Sequence, residues 1–129
     1  MKKFLVLAAV IPWLYACQKA PSENDIAAQA AKAYYDQLLE GKYELFVDGH
    51  YQPDSIPAVY REQLVANAKM FVGQQKDERH GIRRIDVVRA DVDTSKHAGN
   101  VFLSFLYGDG TSEEVVVPMV YQGGLWYLR

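Results

Sequence analysis

The sequence predicts an α+β domain in which three helices precede a four-stranded antiparallel sheet. Helical patterns fill the first half of the chain, and four segments rich in β-branched and aromatic residues follow Gly81. Two of the connections between these segments hold Asp109-Gly110 and Gly123-Gly124, pairs that are typical of tight hairpin turns. Helices followed by a run of hairpins predict N-terminal helices packed on a curled meander sheet.

The first predicted helix spans residues 26–40, where alanine and leucine are frequent and apolar residues recur at helical spacing. Gly41 follows it, as glycine commonly follows a helix C-terminus. Ser22 together with Asp25 can cap the start of this helix, and Asn24 is an alternative cap.

Two further helices are predicted before the strands begin. The second spans residues 43–48 and is expected to direct Leu45 and Phe46 inward. The third follows Pro57, a residue suited to a first helical turn, and ends near Gly73. Its expected apolar side consists of Val59, Leu64, Ala68, Phe71 and Val72.

The turns fix an expected register for the sheet. Strands are predicted at residues 82–92, 101–107, 115–121 and 125–128. If both turns are two-residue type I′ turns, Gly108 faces Thr111 and Gln122 faces Leu125. Phe102 then faces Val117. We also expect a bulge or bend near Pro118, because proline cannot donate to a strand ladder.

This register gives the sheet two apolar faces, so something besides the helices is expected to cover the second face. One face carries Phe102, Leu106, Val115, Val117, Met119, Tyr121, Trp126 and Leu128. The other carries Val101, Leu103, Phe105, Tyr107, Val116, Val120, Leu125 and Tyr127.

The chain opens with a basic pair and an apolar run. Lys2 and Lys3 precede residues 4–16, whose helical length of about 20 Å is shorter than the ~30 Å apolar core of a bilayer. The run therefore predicts an export signal rather than a membrane-spanning helix.

The sequence Leu14-Tyr15-Ala16-Cys17 ends this run and resembles the lipobox of bacterial lipoproteins. The resemblance implies diacylglyceryl transfer to the Cys17 sulfur, cleavage before Cys17 and acylation of the new amino terminus. Cys17 is the single cysteine of the chain, whereas extracellular cysteines normally occur in pairs. Aspartate directly after the lipidated cysteine favours retention in the inner membrane, and this chain has Gln18 at that position. The outer membrane is therefore the favoured location in the cell envelope.

These features divide the chain into a signal peptide at residues 1–16, a lipidated cysteine and tether at residues 17–25, and one domain at residues 26–129. Beyond the signal peptide the chain holds 12 basic and 16 acidic residues. This negative balance argues against a nucleic-acid partner. The membrane, reached through the N-terminal lipid, is the predicted partner.

Two segments resemble small bacterial lipoproteins that carry an NTF2-like, or cystatin-like, domain of unknown function. Residues 33–43, AYYDQLLEGKY, combine aromatic residues, a leucine pair and a Gly-Lys-Tyr turn, and residues 123–128, GGLWYL, form a closing glycine-aromatic strand. The resemblance implies a cone whose mouth binds a ligand and whose outer sheet face is a homodimer surface. The same scaffold hosts enzymes, binding proteins and dimerisation modules.

We expect this domain to bind a small ligand or an envelope protein without catalysis. The candidate ligand-binding residues are aromatic: Tyr34, Tyr35, Tyr43, Tyr60 and Trp126. The alternatives are an enzyme similar to ketosteroid isomerases and dehydratases, or an accessory subunit of an envelope assembly. The candidate bases for an enzyme are Asp36, Asp48, His50 and Asp54, and none of them stands in the catalytic pattern of those enzymes.

The sequence predicts neither a metal site nor a cofactor, because its three histidines lack the spacing of metal ligands. These histidines are His50, His80 and His97. A basic cluster lies between the third predicted helix and the first predicted strand. We interpret it as a solvated turn. The alternative is that it contacts lipid headgroups or an acidic polymer. The cluster consists of Arg79, His80, Arg83 and Arg84.

Overall fold

A computed structural model describes residues 20–129 of the chain, so the predicted signal peptide and lipobox lie outside the described residues. The helices are α1 (Glu23–Leu39), α2 (Tyr43–Asp48) and α3 (Ala58–Arg79). The strands are β1 (Ile82–Asp93), β2 (Ala98–Tyr107), β3 (Ser112–Gln122) and β4 (Leu125–Leu128). They form one antiparallel sheet in the order β1-β2-β3-β4, which confirms the predicted α+β class. Within residues 20–129, no helix combines the length and apolar character needed to cross a bilayer.

Helix α1 begins at Glu23, three residues earlier than predicted, because Ser22 and Asp25 cap it reciprocally. The Asp25 N–H donates to the Ser22 hydroxyl at 3.2 Å, and the Ser22 N–H donates to the Asp25 carboxylate at 3.4 Å. Residues 23–25, expected in the tether, are therefore the first turn of the helix. Asn24 does not cap the helix but accepts a hydrogen bond from the Val92 N–H of β1 at 3.0 Å.

Helix α2 has the predicted bounds but turns a different residue inward. Val47 is buried, whereas Leu45 is 50% exposed and Phe46 is half-buried. The expectation that Leu45 faces the core is wrong, since a six-residue helix can bury only one narrow side and Val47 lies on it.

Helix α3 continues through Gly73 to Arg79, beyond the predicted end. It ends where His80 and Gly81 adopt left-handed conformations, with φ of 62° and 84°, and the Gly81 N–H donates to the Gln75 carbonyl at 2.9 Å. Only Ala68 of α3 is fully buried, and Val59 is 77% exposed instead of facing inward. Helix α3 therefore packs loosely on the rest of the domain.

The turn between β2 and β3 differs from the predicted two-residue turn. The Tyr107 N–H donates to the Thr111 carbonyl at 2.8 Å, and the loop between them contains three residues with a left-handed Gly110 at φ 88°. This is the three-residue hairpin with a left-handed glycine, in which Asp109 keeps a negative φ. The extra residue moves the register by one, so Phe102 pairs with Val116 instead of Val117.

The β3–β4 turn matches the prediction. Gly123 and Gly124 both have positive φ, 59° and 85°, as a type I′ turn requires. Gln122 pairs with Leu125 as expected.

The one-residue shift redistributes the side chains of the β2–β3 hairpin between the two faces of the sheet. The inner face packs on the small α1 residues Ala27, Ala28 and Ala31. Its buried members are Ile85, Val101, Leu103, Phe105, Tyr107, Val117, Met119, Trp126 and Leu128. The outer face carries Phe102, Leu106, Val116, Pro118, Val120, Leu125 and Tyr127 on β2–β4 and charged residues on β1. The predicted grouping of residues into two faces is therefore wrong for the β2–β3 hairpin.

No bulge occurs at Pro118, which pairs regularly with Asn100. Its carbonyl accepts a hydrogen bond from the Arg129 N–H at 3.0 Å, so its nitrogen also faces the β4 side, where it removes no bond to β2. The register shifts lie instead in β1, after Ile82 and after Val87.

A short segment after α2 extends the sheet beyond β4. The Leu128 N–H donates to the Gly49 carbonyl at 2.8 Å, and the Tyr51 N–H donates to the Leu128 carbonyl at 2.7 Å. A Cβ atom at Gly49 would lie 2.5 Å from Cδ1 of Tyr34, so only glycine allows this close packing.

Candidate functional site

A cavity of about 650 Å³ lies between α3 and the sheet. Helix α3 forms one wall with residues that recur on a single helix face: Tyr60, Leu64, Asn67, Ala68, Phe71, Gln75, Glu78 and Arg79. The opposite wall is formed by Phe105 and Tyr107 of β2, Glu113 and Val115 of β3, and Arg129. Because α3 packs loosely and Tyr60 is 52% exposed, the cavity is open to solvent along one side.

Aromatic and aliphatic side chains form the floor of the cavity. The Tyr35 ring of α1 meets the Phe46 ring edge-on, with ring centres 5.2 Å apart, and lies 5.6 Å from the Phe105 ring. Leu38 and Val47 are buried beside them. Burial raises the pKa of Tyr35, so its hydroxyl stays protonated across the physiological range.

Three polar residues of different elements meet at one end of the cavity. The Tyr107 hydroxyl donates to Glu113 Oε1 at 2.8 Å, and the Arg79 guanidinium lies 4.5 Å from the centre of the Tyr107 ring. Burial, followed by the hydrogen bond to Glu113, raises the pKa of Tyr107 to about 12. Within residues 20–129, no cationic group lies within 4 Å of the Glu113 carboxylate, which keeps acceptor capacity for a ligand donor.

His50 borders the cavity beside α2. Its Nδ1 lies 3.0 Å from the Phe46 carbonyl, which can only accept, so Nδ1 carries the proton of the neutral ring and Nε2 keeps the lone pair. The imidazole also packs edge-on against the Phe46 ring at 5.1 Å. A second cavity of about 560 Å³, lined by polar residues that include Asp48 and Arg61, lies on the other side of His50.

Two of the five aromatic candidates line the large cavity, namely Tyr35 and Tyr60. Tyr34 instead donates its hydroxyl to the Trp126 carbonyl at 2.7 Å and joins α1 to β4. Tyr43 borders a separate, smaller cavity of about 290 Å³. Trp126 is 4% exposed in the core, with its indole N–H 3.3 Å from a Glu23 carboxylate oxygen.

Of the candidate bases, only His50 borders the large cavity. Asp36 pairs with Lys32 on the outside of α1 at 2.7 Å. Asp48 binds Arg61 through two hydrogen bonds of 2.9 and 2.8 Å, and this pairing lowers the pKa of Asp48. Asp54 lies exposed in the loop before α3.

The sequence-based reasoning missed Glu113, Tyr107, Glu78 and Arg79 as cavity residues. Glu113 pairs with Phe105, a buried inner-face residue, so the correct hairpin register would have placed this carboxylate on the inner face. The three-residue turn with glycine at its third position was the signal for that register.

The basic cluster at the end of α3 is largely engaged in local contacts. Arg79 stacks on Tyr107, Arg83 donates to the Gly108 carbonyl at 3.2 Å, and Arg84 pairs with Asp86 at 2.9 Å. In the part of the chain that the structure describes, no group of three histidine, cysteine, aspartate or glutamate residues is arranged to hold a metal ion.

Comparison with known proteins identifies the fold. No protein-family model matches the chain, and neither does any curated protein. The crystal structure of a Campylobacter jejuni protein described as "Putative NTF2-like transpeptidase" matches with a TM-score of 0.63 and 10% sequence identity, over 78% of this chain and 94% of that chain. The domain has an NTF2-like fold. In this NTF2-like domain the large cavity lies between α3 and the inner face of the sheet. The fold does not specify what the cavity binds, so the ligand is inferred from the lining residues of this chain alone.

Proposed function

We propose that this chain is a lipid-anchored protein of the cell envelope whose NTF2-like cone binds a small, largely apolar molecule without changing it chemically. The observation that carries the proposal is the open cavity of about 650 Å³ with an aromatic floor and a few polar groups at its edge. Cavities of this size and composition are typical of small-molecule sites.

The lining specifies the chemistry of the ligand. The rings of Tyr35, Phe46 and Phe105 offer faces and edges to an apolar body. At the polar end, Glu113 accepts and Arg79 donates, so hydroxyl or amide groups on the ligand can be oriented there. An apolar body with a polar end is therefore the expected ligand.

The placement of the candidate aspartates supports binding without catalysis. Asp36 and Asp48 are occupied by cationic partners outside the large cavity. Tyr107, with a pKa of about 12, is a poor proton donor at neutral pH. His50, Glu78 and Glu113 border the cavity and are the bases that an isomerase or dehydratase could use here; the Nε2 of His50 keeps a lone pair.

Probe binding tests the cavity. N-Phenyl-1-naphthylamine is a neutral apolar dye, and its fluorescence should increase when it binds residues 20–129. Leu64→Trp should abolish the increase, because the larger side chain occupies space in the cavity. Ala66→Trp, which lies exposed on another side of α3, is the matched control and should bind like the parent. Equal dye binding by the Leu64 variant, with folding verified by circular dichroism, would refute the cavity as the site.

The absence of catalysis is tested on the natural ligand. Lipophilic molecules that co-purify with the chain should be recovered unchanged after long incubation, as judged by mass spectrometry. Chemical conversion that disappears in His50→Gln or Glu113→Gln would establish the enzyme alternative instead.

The anchor is supported by the lipobox, the single cysteine and the length of the apolar run. Cells grown with a palmitate analogue should label the chain, and Cys17→Ser should remove the label. Fractionation should place the protein in the outer membrane. Label that persists in the Cys17 variant would exclude lipid attachment at this residue.

A further inference from the structure

Strand β4 is much shorter than its neighbour β3, and this difference leaves part of β3 unpaired. Pairing with β4 covers only Met119–Gln122 of β3, and Arg129 adds one bond at Pro118. Residues 112–117 pair with β2 on one side, and no strand among the described residues 20–129 pairs with them on the other. We propose that this free edge binds an extended peptide segment by strand addition, with alternate peptide side chains entering the cavity. The side-chain part of this inference rests on the proposed binding role of the cavity.

The backbone groups available at the free edge follow from the alternation of the strand. Because the Pro118 carbonyl points to the β4 side, so do the N–H and C=O groups of Ser112, Glu114 and Val116. All three residues are exposed, and within residues 20–129 no hydrogen bond is made to these groups. The edge is about 20 Å long, enough for a strand of six residues.

The cavity lies directly beside this edge. Glu113 and Val115, whose side chains alternate with those of the edge residues, both line it. A strand added next to β3 continues the pleat, so every second side chain of the peptide points to the same side as Glu113 and Val115. Backbone bonds then supply affinity, and the aromatic cavity selects apolar side chains.

Charge indicates the kind of peptide. Glu113 and Glu114 follow one another on the edge strand and point to opposite faces of the sheet, Glu113 to the cavity side. No cationic partner lies within 4 Å of either carboxylate in the part of the chain that the structure describes. Antiparallel pairing of this edge with a second copy of itself would bring these carboxylates together, which is unfavourable. A peptide that carries lysine or arginine among apolar residues complements the edge.

Amide hydrogen exchange provides the direct test. The probe is a pool of acetylated, amidated heptapeptides that alternate apolar residues with threonine and contain one lysine. Members that bind residues 20–129 should slow exchange at Ser112, Glu114 and Val116 at least tenfold. A pool without any binder, or a bound peptide that leaves these amides unprotected, overturns strand addition.

A proline at the edge provides a second test. Val116→Pro removes an edge N–H without touching the β2–β3 bonds, as Pro118 already shows. It should weaken peptide binding at least tenfold, whereas Val116→Thr, the matched control, should bind within about twofold of the parent. Equal binding by both variants contradicts the proposal.

The same variants separate this inference from the proposed function. Val116→Pro should keep its affinity for N-phenyl-1-naphthylamine, because the cavity wall is unchanged. Dye binding without any peptide binding refutes strand addition alone. Peptide binding with amide protection but without dye binding supports strand addition and refutes the small-molecule role.

Glu114→Gln should lower affinity for lysine-containing peptides at low salt, and an unchanged affinity would exclude the charge preference.

Discussion

Tyr107 has a strongly raised pKa, about 12 against an ordinary value of 10.0. Its ring is buried on the inner face, and its hydroxyl is held by Glu113 at 2.8 Å. Both effects oppose ionisation, so the phenol binds its proton more tightly in the folded state than the ordinary value of 10.0 implies.

This raised pKa makes stability depend on alkaline pH. Between about pH 10 and 12 the unfolded chain releases the Tyr107 proton while the folded chain retains it, so stability falls as pH rises. The rise in pKa from 10.0 to about 12 sets an upper limit of about 2.7 kcal/mol on the loss attributable to Tyr107. Urea unfolding at several pH values should show a shallower decline for Tyr107→Phe. An identical decline in both proteins would mean that Tyr107 ionises normally. The raised pKa values of Tyr34 and Tyr35 affect both proteins equally.

The Tyr34 hydroxyl joins α1 to β4 through one hydrogen bond to the Trp126 carbonyl. Tyr34→Phe keeps the ring packed on Gly49 and removes this bond, so unfolding should become easier by about 1 kcal/mol. Tyr60→Phe is the control, since Tyr60 is exposed and its hydroxyl makes no hydrogen bond within residues 20–129. Chemical denaturation measures both, and similar stabilities of the two variants would assign no role to the Tyr34 bond.

At the level of elements, the long helix α3 contains a glycine, Gly73, at a position where neither close packing nor a positive φ requires glycine. Gly73 lies mid-helix, and a Cβ atom there would meet no atom within 4 Å. Gly73→Ala should therefore stabilise the domain by about 0.5–1 kcal/mol.

Gly110→Ala is the matched comparison for Gly73→Ala, because a Cβ atom there also has open space but φ is 88°. It should destabilise by about 1 kcal/mol or more, as L-residues disfavour this conformation. Thermal unfolding of both variants checks the opposite signs. Destabilisation by Gly73→Ala would indicate that α3 needs a flexible point.

The hairpins show how far local pattern determines a sheet. Gly123-Gly124 supports positive φ at two successive residues and admits one turn type, so the register of β3 and β4 was predictable. Asp109-Gly110 is compatible with a two-residue or a three-residue turn. The structure adopts the second, in which Thr111 donates its N–H and hydroxyl to the Asp109 carboxylate at 3.0 and 2.6 Å. The Asp-Gly pair alone does not distinguish the two turns, and the resulting one-residue error in register placed Glu113 on the wrong face.

For the whole molecule, the order of elements predicted the α+β class, and the resemblance predicted the NTF2-like fold; both predictions are confirmed. The cavity could not be predicted in detail, because it depends on how far α3 lies from the sheet. Helix periodicity indicates which face turns inward, as Leu64 and Phe71 do, but gives no distance between elements. The expectation that Tyr35 and Tyr60 bind a ligand came from the resemblance and from the amphipathic character of tyrosine, and periodicity did not contribute to it.

The outer sheet face leads to a prediction about assembly. Val116 and Leu125 are 52% and 58% exposed there, and the resemblance implies a homodimer through this face. Sedimentation of residues 20–129 should reveal a dimer that Leu125→Lys disrupts. Val59→Lys, at an exposed apolar residue on α3, should leave the dimer intact. A parent protein that stays monomeric at high concentration would exclude the outer face as a dimer surface.

The attachment of the first turn of α1 gives the molecule a defined direction. Asn24 is bound at Val92, whereas Tyr107 pairs with Ile82, ten strand residues or about 33 Å away. The chain thus enters the domain at one pole, and the Tyr107–Glu113 end of the cavity lies at the other. For a protein anchored through Cys17 as proposed, the end of the domain that holds the N-terminus of α1 faces the bilayer. The end that holds Tyr107 and Glu113 then faces away from the bilayer. A ligand that arrives from the aqueous side then reaches Glu113 without crossing the lipid headgroup layer.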